Sequence, residues 1–121
     1  MGVAARGVPE TTVLLAITVK PMVIVAGSLR MQPGSRARFF EKVVPMVAAT
    51  LEEPGCRVYA FTPDPDDPDL IRLYELWDHQ EALEQHFASE HMAAWKERAA
   101  SLPIMSSDIM CYTVTDTRPL G

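Results

Sequence analysis

The sequence predicts an α+β sandwich in the order β-α-β-β-α-β, the split arrangement of ferredoxin-like domains. Three observations predict it. Segments rich in strand-forming residues lie at 22–31, 57–62, 70–77 and 109–115. Two stretches with apolar residues at steps of three and four separate them, and a run of turn formers joins the middle two strands. At 121 residues and 48% hydrophobic content, the chain suits one compact domain. Two domains would each be too small to bury much of their surface.

The elements follow in order. Residues 1–20 read as an N-terminal extension, with 1–12 a flexible lead-in and 13–20 an extra strand or ordered arm. The apolar run at 13–19 is interrupted by Lys20 and Pro21, short of the roughly 20 residues a bilayer span needs. The domain proper is expected over 21–117, with a tail at 118–121. Met22–Met31 (MVIVAGSLRM) reads as a strand buried on both faces, and Gly27 within it suggests a bulge or a close approach by another group. Ser35 is placed to cap a helix whose apolar stripe is Phe39, Phe40, Val43, Val44, Val47 and Leu51, with a kink expected at Pro45. Glu52-Glu53-Pro54-Gly55 stops that helix.

Residues 57–62 and Leu70–Trp77 form an antiparallel pair across Pro63-Asp64-Pro65-Asp66-Asp67-Pro68-Asp69. Those four Asp resemble a calcium loop only superficially, since the required Gly and distal Glu are missing. Asp78 and Glu81 make a carboxylate capping pair for the next helix, which carries Ala82, Leu83, His86 and Phe87 on one face. Ser89 caps a second short helix with Met92, Trp95, Ala99 and Leu102 inward, and Pro103 limits it. Residues 109–115 (IMCYTVT) are the last strand.

Sixteen acids against eleven bases give a net charge of −5. Residues 52–90 hold eleven of those acids and only two bases, which argues against a nucleic-acid surface, because phosphate neutralisation needs a basic stripe. Cys56 and Cys111 are too few for a disulfide scaffold and too far apart for a metal knuckle, and read as free thiols in a reducing cytoplasm. Neither a membrane nor a nucleic acid is expected as partner. In Leu70–Trp77 both strand faces are substantially apolar, and so are both faces of Met22–Met31. A second apolar sheet face implies another subunit, so a homodimer is expected.

Few ionisable residues sit in apolar settings. Glu75 shares a strand register with Ile71, Leu73 and Trp77, where a carboxyl needs a partner or a raised pKa. His86 lies on an apolar helix face, His91 opens the next helix, and His79 at a helix start reads as solvated. Two nearby histidines with a buried Glu to orient one point to general-base chemistry. A metal would need three convergent ligands, and no tight ligand spacing is present, so none is expected. Tyr59, Phe61, Tyr74, Trp77 and Tyr112 lie on strands, where some can line a flat apolar pocket for an aromatic ligand. No phosphate loop, nucleotide fingerprint or Ser nucleophile elbow occurs.

The segments EEPGCRVY (52–59), YELW (74–77) and ALEQHFASEHMAAW (82–95) resemble the antibiotic biosynthesis monooxygenase family, most closely its small quinol monooxygenase-like members. The resemblance covers about Met22 to Val114. It implies a ferredoxin-like fold paired as a homodimer into an α/β barrel assembly. It also implies oxidation of a hydroquinone, anthrone or polyketide-like substrate by O₂ without metal, flavin or other cofactor. The haem-degrading branch of the resemblance is set aside, because Ser28 replaces its strand Asn and Lys96 stands where its axial His should be. The implied chemistry assigns His86 or His91 as base, with Glu75 orienting it. Trp77, Tyr59 and Tyr112 would wall the pocket, and Arg30 would partner an anion. An isomerase on the same scaffold and a non-catalytic dimeric ligand-binding protein are the competing expectations.

Overall fold

The computed structural model describes residues 20–121. The extension expected at 1–20 lies outside the described residues but for Lys20. Strand β1 (Met22–Met31) leads to helix α1 (Arg36–Leu51). The hairpin β2 (Cys56–Pro63) and β3 (Leu70–Trp77) follows, then helices α2 (Gln80–Phe87) and α3 (Glu90–Ala99), and strand β4 (Ile104–Val114). The sheet order is β2-β3-β1-β4 and every pairing is antiparallel. This is the ferredoxin-like arrangement. No described helix is long and apolar enough to cross a membrane.

Opposed residues in an antiparallel pair share a sheet face. Val23 faces Trp77 and Val25 faces Glu75, while Glu75 in turn faces Tyr59. These side chains are buried beneath the helices, with Ile71 and Leu73 farther along the same face. Phe39, Val43, Met46, Leu83 and Leu102 close that core from the helical side. Phe39 is fully buried, and it meets Phe40, Phe61 and Trp95 edge-on at centroid distances of 5.2–5.7 Å.

Several local expectations shift. Helix α1 buries Phe39, Val43, Met46 and Thr50, whereas Val44 and Leu51 are 60% and 49% exposed. Two apolar stripes lie side by side on this helix, and the sheet is wide enough to cover only one. The helix continues through Pro45. Ser35 precedes it as expected, but its hydroxyl donates back to the Gln32 carbonyl at 2.7 Å instead of capping an amide. At α2 the capping group is His79, whose Nδ1 accepts from the Ala82 amide at 3.2 Å. Asp78 is held instead by Arg57. Strand β4 begins at Ile104, five residues before its β-branched signal, because the long β1 supplies a ladder partner as far as Met31.

The Asp-rich turn is held by local donors. Asp64 accepts from the amides of Asp66 and Asp67 and pairs with Arg72 at 2.9 Å. Asp67 takes Arg30 and the Asp69 amide, while Asp69 takes the Gly34 amide. The Arg36 guanidinium reaches the carbonyls of Asp64, Asp67 and Leu70 at 2.8–3.3 Å and so ties the turn to α1. With three of the four carboxylates engaged by local donors, the calcium reading has no support.

Gly27 is a close approach. A Cβ there would lie 2.0 Å from the Asp108 carbonyl oxygen and 2.7 Å from the Ile109 Cα, both backbone atoms of β4. Gly27→Ala therefore forces β1 and β4 apart and is expected to destabilise the protein by about 1–3 kcal/mol, the range for overpacked sites. Urea unfolding of the two proteins measures this; equal midpoints would show that β4 yields freely.

Candidate functional site

Three elements carry the site. The turn after α1 contributes Glu53, the last turn of α2 contributes His86, and the first turn of α3 contributes His91. The Glu53 amide donates to the Thr50 carbonyl at 3.0 Å, which continues the helical winding past Leu51. Gly55 then turns the chain in the left-handed region (φ 87°). A Cβ on Gly55 would sit 2.7 Å from the Ala82 Cβ, so only glycine lets this turn lie against α2. The Asp78 amide, donating to the Gly55 carbonyl at 2.8 Å, fastens the turn to the entry of α2.

The elbow between α2 and α3 is held by one serine. Ser89 Oγ donates to the His86 carbonyl at 2.7 Å and accepts from the Met92 amide at 3.3 Å. This capping sets the two imidazoles 5.8 Å apart. Both rings converge on one oxygen. Glu53 Oε2 lies 2.7 Å from His86 Nδ1 and 2.7 Å from His91 Nε2. A carboxylate oxygen accepts, so each of these nitrogens carries a proton, and the lone pair of each neutral ring is on its far nitrogen. His86 is buried, while the side chains of His91 and Glu53 keep 23% and 13% of their exposure.

Aromatic rings surround His86. Its centroid is 5.0 Å from Trp77 and 5.1 Å from Tyr59. Trp77 is fully buried and its Nε1 donates to Glu75 Oε1 at 2.8 Å. Burial raises the Glu75 pKa to about 7, against the Trp77 hydrogen bond and with help from the negative charge of Glu53. Burial likewise raises the Cys56 thiol to about 11, so it is a poor nucleophile. Tyr59 is pushed upward by burial first and by Glu75 second, and stays a neutral phenol. For His86, burial lowers the pKa while the hydrogen bond to Glu53 opposes it.

The expected residues therefore divide. His86, His91, Trp77 and Tyr59 come together, and Glu75 shares their sheet face. Glu75 bonds Trp77, however, and the acid that orients both histidines is Glu53. Sequence patterning assigned Glu53 only to a helix stop. Its one distinguishing signal was its place in the same set of motifs as the histidines. Tyr112 and Arg30 are not in the site. Tyr112 pairs with Ile24, and Arg30 lies in the same register, which is the sheet face opposite Glu75. Tyr112 is 51% exposed there, and Arg30 is bound to Asp67 at 2.9 Å. Strand position could not tell which face the helices cover.

An apolar groove of about 440 Å³ runs beside the site between α1 and β2. Phe40, Val44, Val47, Leu51, Tyr59 and Phe61 line it. It uses the stripe of α1 that the core leaves uncovered, and Tyr59 is the wall it shares with His86. Glu53, His86 and His91 form the one group of three metal-capable side chains whose ligand atoms converge, within 4.8 Å, among the described residues.

Comparison with known proteins places the chain among relatives of the same fold. The sequence profile described as antibiotic biosynthesis monooxygenase matches residues 22–98. No curated protein matches the sequence. A candidate antibiotic biosynthesis monooxygenase from Deinococcus radiodurans superposes with a TM-score of 0.73 at 23% identity, covering 82% of this chain and 98% of that one. Another from Caulobacter crescentus gives 0.72 at 22%, covering 84% and 96%. A conserved protein from Methanosarcina mazei gives 0.71 at 19%, covering 83% and 99%. At these identities the likeness is one of fold.

The Glu75 carboxyl makes stability depend on pH. Its pKa in the fold (about 7) is above its usual 4.5, so the protonated form stabilises the fold. That contribution is complete below the lower value and is lost as pH rises through the upper one, on the order of 3 kcal/mol in all. Glu75→Gln stays uncharged. The stability of this variant relative to wild type is therefore expected to rise between about pH 4.5 and 7 and to level off above. Chemical unfolding across that range checks it, and a flat difference would mean that Glu75 ionises freely.

Proposed function

Because the chain belongs to the antibiotic biosynthesis monooxygenase family, we propose that it oxidises a small aromatic substrate of the hydroquinone, anthrone or polyketide type with O₂ and without a cofactor. The observation that carries this reading is the buried His86, held at Nδ1 by Glu53 and set against Trp77 and Tyr59. O₂ reacts slowly with closed-shell organic molecules. Removing a proton from a phenol or anthrone creates an electron-rich anion that can pass an electron to O₂. The protein must therefore supply a base, an apolar flat pocket and a dry setting.

His86 Nε2 is the base in this reading, since the Nδ1 proton is committed to Glu53. Glu53 fixes the tautomer and stabilises the imidazolium that forms, as a positioning residue. His91 donates to the same oxygen from the partly open side and holds the Glu53 carboxylate in place as a second positioning residue. The α1–β2 groove, ending on Tyr59, suits a planar apolar ring. The overall step balances without an outside reductant. For an anthrone, one oxygen atom replaces the two methylene hydrogens as a carbonyl, and the other leaves with them as water.

A second copy of the chain is proposed on the uncovered sheet face. Ile24, Ala26, Tyr74, Leu76, Met110 and Tyr112 share that face, with Tyr74, Met110 and Tyr112 40%, 56% and 51% exposed. Apolar area of this kind is ordinarily buried in an interface. Met110→Glu is expected to shift a dimer to monomer in sedimentation equilibrium; a wild-type monomer at high concentration would refute the pairing.

Oxygen uptake with a panel of hydroquinones and anthrones tests the chemistry. Loss of a general base lowers turnover by about 10²–10⁴-fold, so His86→Ala is expected to fall in that range while His79→Ala stays near wild type. No uptake by wild type across the panel would sink the oxygenase reading, and substrate proton exchange without uptake would identify an isomerase.

A further inference from the structure

We propose that Glu53, His86 and His91 also form a binding site for one divalent transition-metal ion of the zinc or cobalt kind, and that a bound ion and base catalysis by His86 exclude each other. The second half of this statement rests on the oxygenase reading above; the first does not.

The donor set is two imidazole nitrogens and one carboxylate oxygen, the combination that first-row transition metals take in preference to calcium or magnesium. Each donor stands on a different element, and each is held by contacts of its own. Gly55 seats the Glu53 turn against α2, Ser89 locks the elbow between the histidines, and Trp77 and Tyr59 flank the His86 ring. A site assembled from such anchored parts loses little freedom when an ion enters.

The distances fit an ion after a small opening. Donors bound at about 2.0–2.1 Å in tetrahedral geometry lie roughly 3.3 Å from one another. Glu53 Oε2 is now 2.7 Å from each nitrogen and the three ligand atoms lie within 4.8 Å of one another. Side-chain rotations that widen both oxygen contacts by about half an ångström and set the two nitrogens at the same spacing make the site. The ion would have three protein ligands. His86 closes the inner side, and the partly exposed Glu53 and His91 leave the outer side open to water. Three protein ligands with one open position mark a labile or reactive ion rather than a structural one.

The proton arithmetic links the ion to catalysis. A metal takes a lone pair, so the proton on His86 Nδ1 must move to Nε2, and that on His91 Nε2 to Nδ1. His86 Nε2 then donates a hydrogen bond and cannot accept a substrate proton. The same three side chains thus have a proton-bearing form in which His86 Nε2 is basic and a metal-bearing form in which it is not.

Untagged, chelator-stripped protein titrated with Co²⁺, read by its visible d–d absorption, and with Zn²⁺, read by calorimetry, tests the site. One ion per chain is expected. His91 is partly exposed, so His91→Asn should fold normally; Glu53→Gln removes the charge but keeps the shape. Both are expected to weaken binding at least as much as the roughly 10–100-fold that changes in outer contacts of metal ligands produce. Absence of saturable binding, or full affinity retained in both variants, overturns the site. In the oxygen-uptake assay, one equivalent of Zn²⁺ is expected to abolish turnover and a chelator to restore it. Turnover that persists or rises with the ion bound overturns the exclusion. A protein that binds Co²⁺ at the triad but oxidises nothing would retain the metal site and lose only the oxygenase reading.

Discussion

The buried indole of Trp77 organises the site. An indole N–H sealed from water needs an acceptor, and Glu75, two residues back on the same face of β3, supplies one at 2.8 Å. That hydrogen bond draws a carboxyl into the apolar layer, where burial raises its pKa to about 7. The face of the same indole receives His86, and Tyr59 completes the enclosure from β2. One large side chain thus sets the depth at which α2 packs and the surroundings of the imidazole.

Two acids near one another have been given different work. Glu75 is enclosed, bonded to a neutral donor and raised in pKa, while Glu53 sits at the edge of the helical layer with two imidazole N–H groups on one oxygen. The charge of Glu53 adds to burial in raising the Glu75 pKa. Environments that separate the protonation of neighbouring groups are how a single site assigns an acid and a base. Cys56, between the two acids in influence, is kept as a thiol by the same burial and charge.

The surface outside the site follows from a shortage of cover. Among the described residues, three helices close one face of β1, β2 and β3 and leave β4 open, yet α1 presents more apolar surface than that face takes. Phe40, Val44, Val47 and Leu51 are left to line a groove along β2. On the far face, and along β4 where nearly every residue is exposed, the sheet shows apolar side chains to solvent. The acidic segment at 52–90 is quieter than its charge suggests. Three of its four turn carboxylates are occupied by amides or arginines, and only Glu53 and Glu75 of its eleven acids reach the site.

Much of this was legible in the residue order. Runs of β-branched and other apolar residues bounded by turn formers define Met22–Met31 and Leu70–Trp77 to the residue, and Gly27 marks the approach of β4 because a strand glycine leaves room that another backbone can use. The polar residues in apolar company, Glu75 and His86, were identifiable because periodicity alone puts them inward. What periodicity cannot supply is the pairing of elements distant along the chain. Which of two adjacent stripes on α1 is buried depends on the width of the sheet beneath it. Whether Tyr112 and Arg30 face the site depends on which side the helices cover. That Glu53 rather than Glu75 joins the histidines depends on a turn 33 residues upstream of His86 being folded against α2. Local sequence determines the direction of a side chain relative to its own helix or strand; only the tertiary packing decides what waits at the other end.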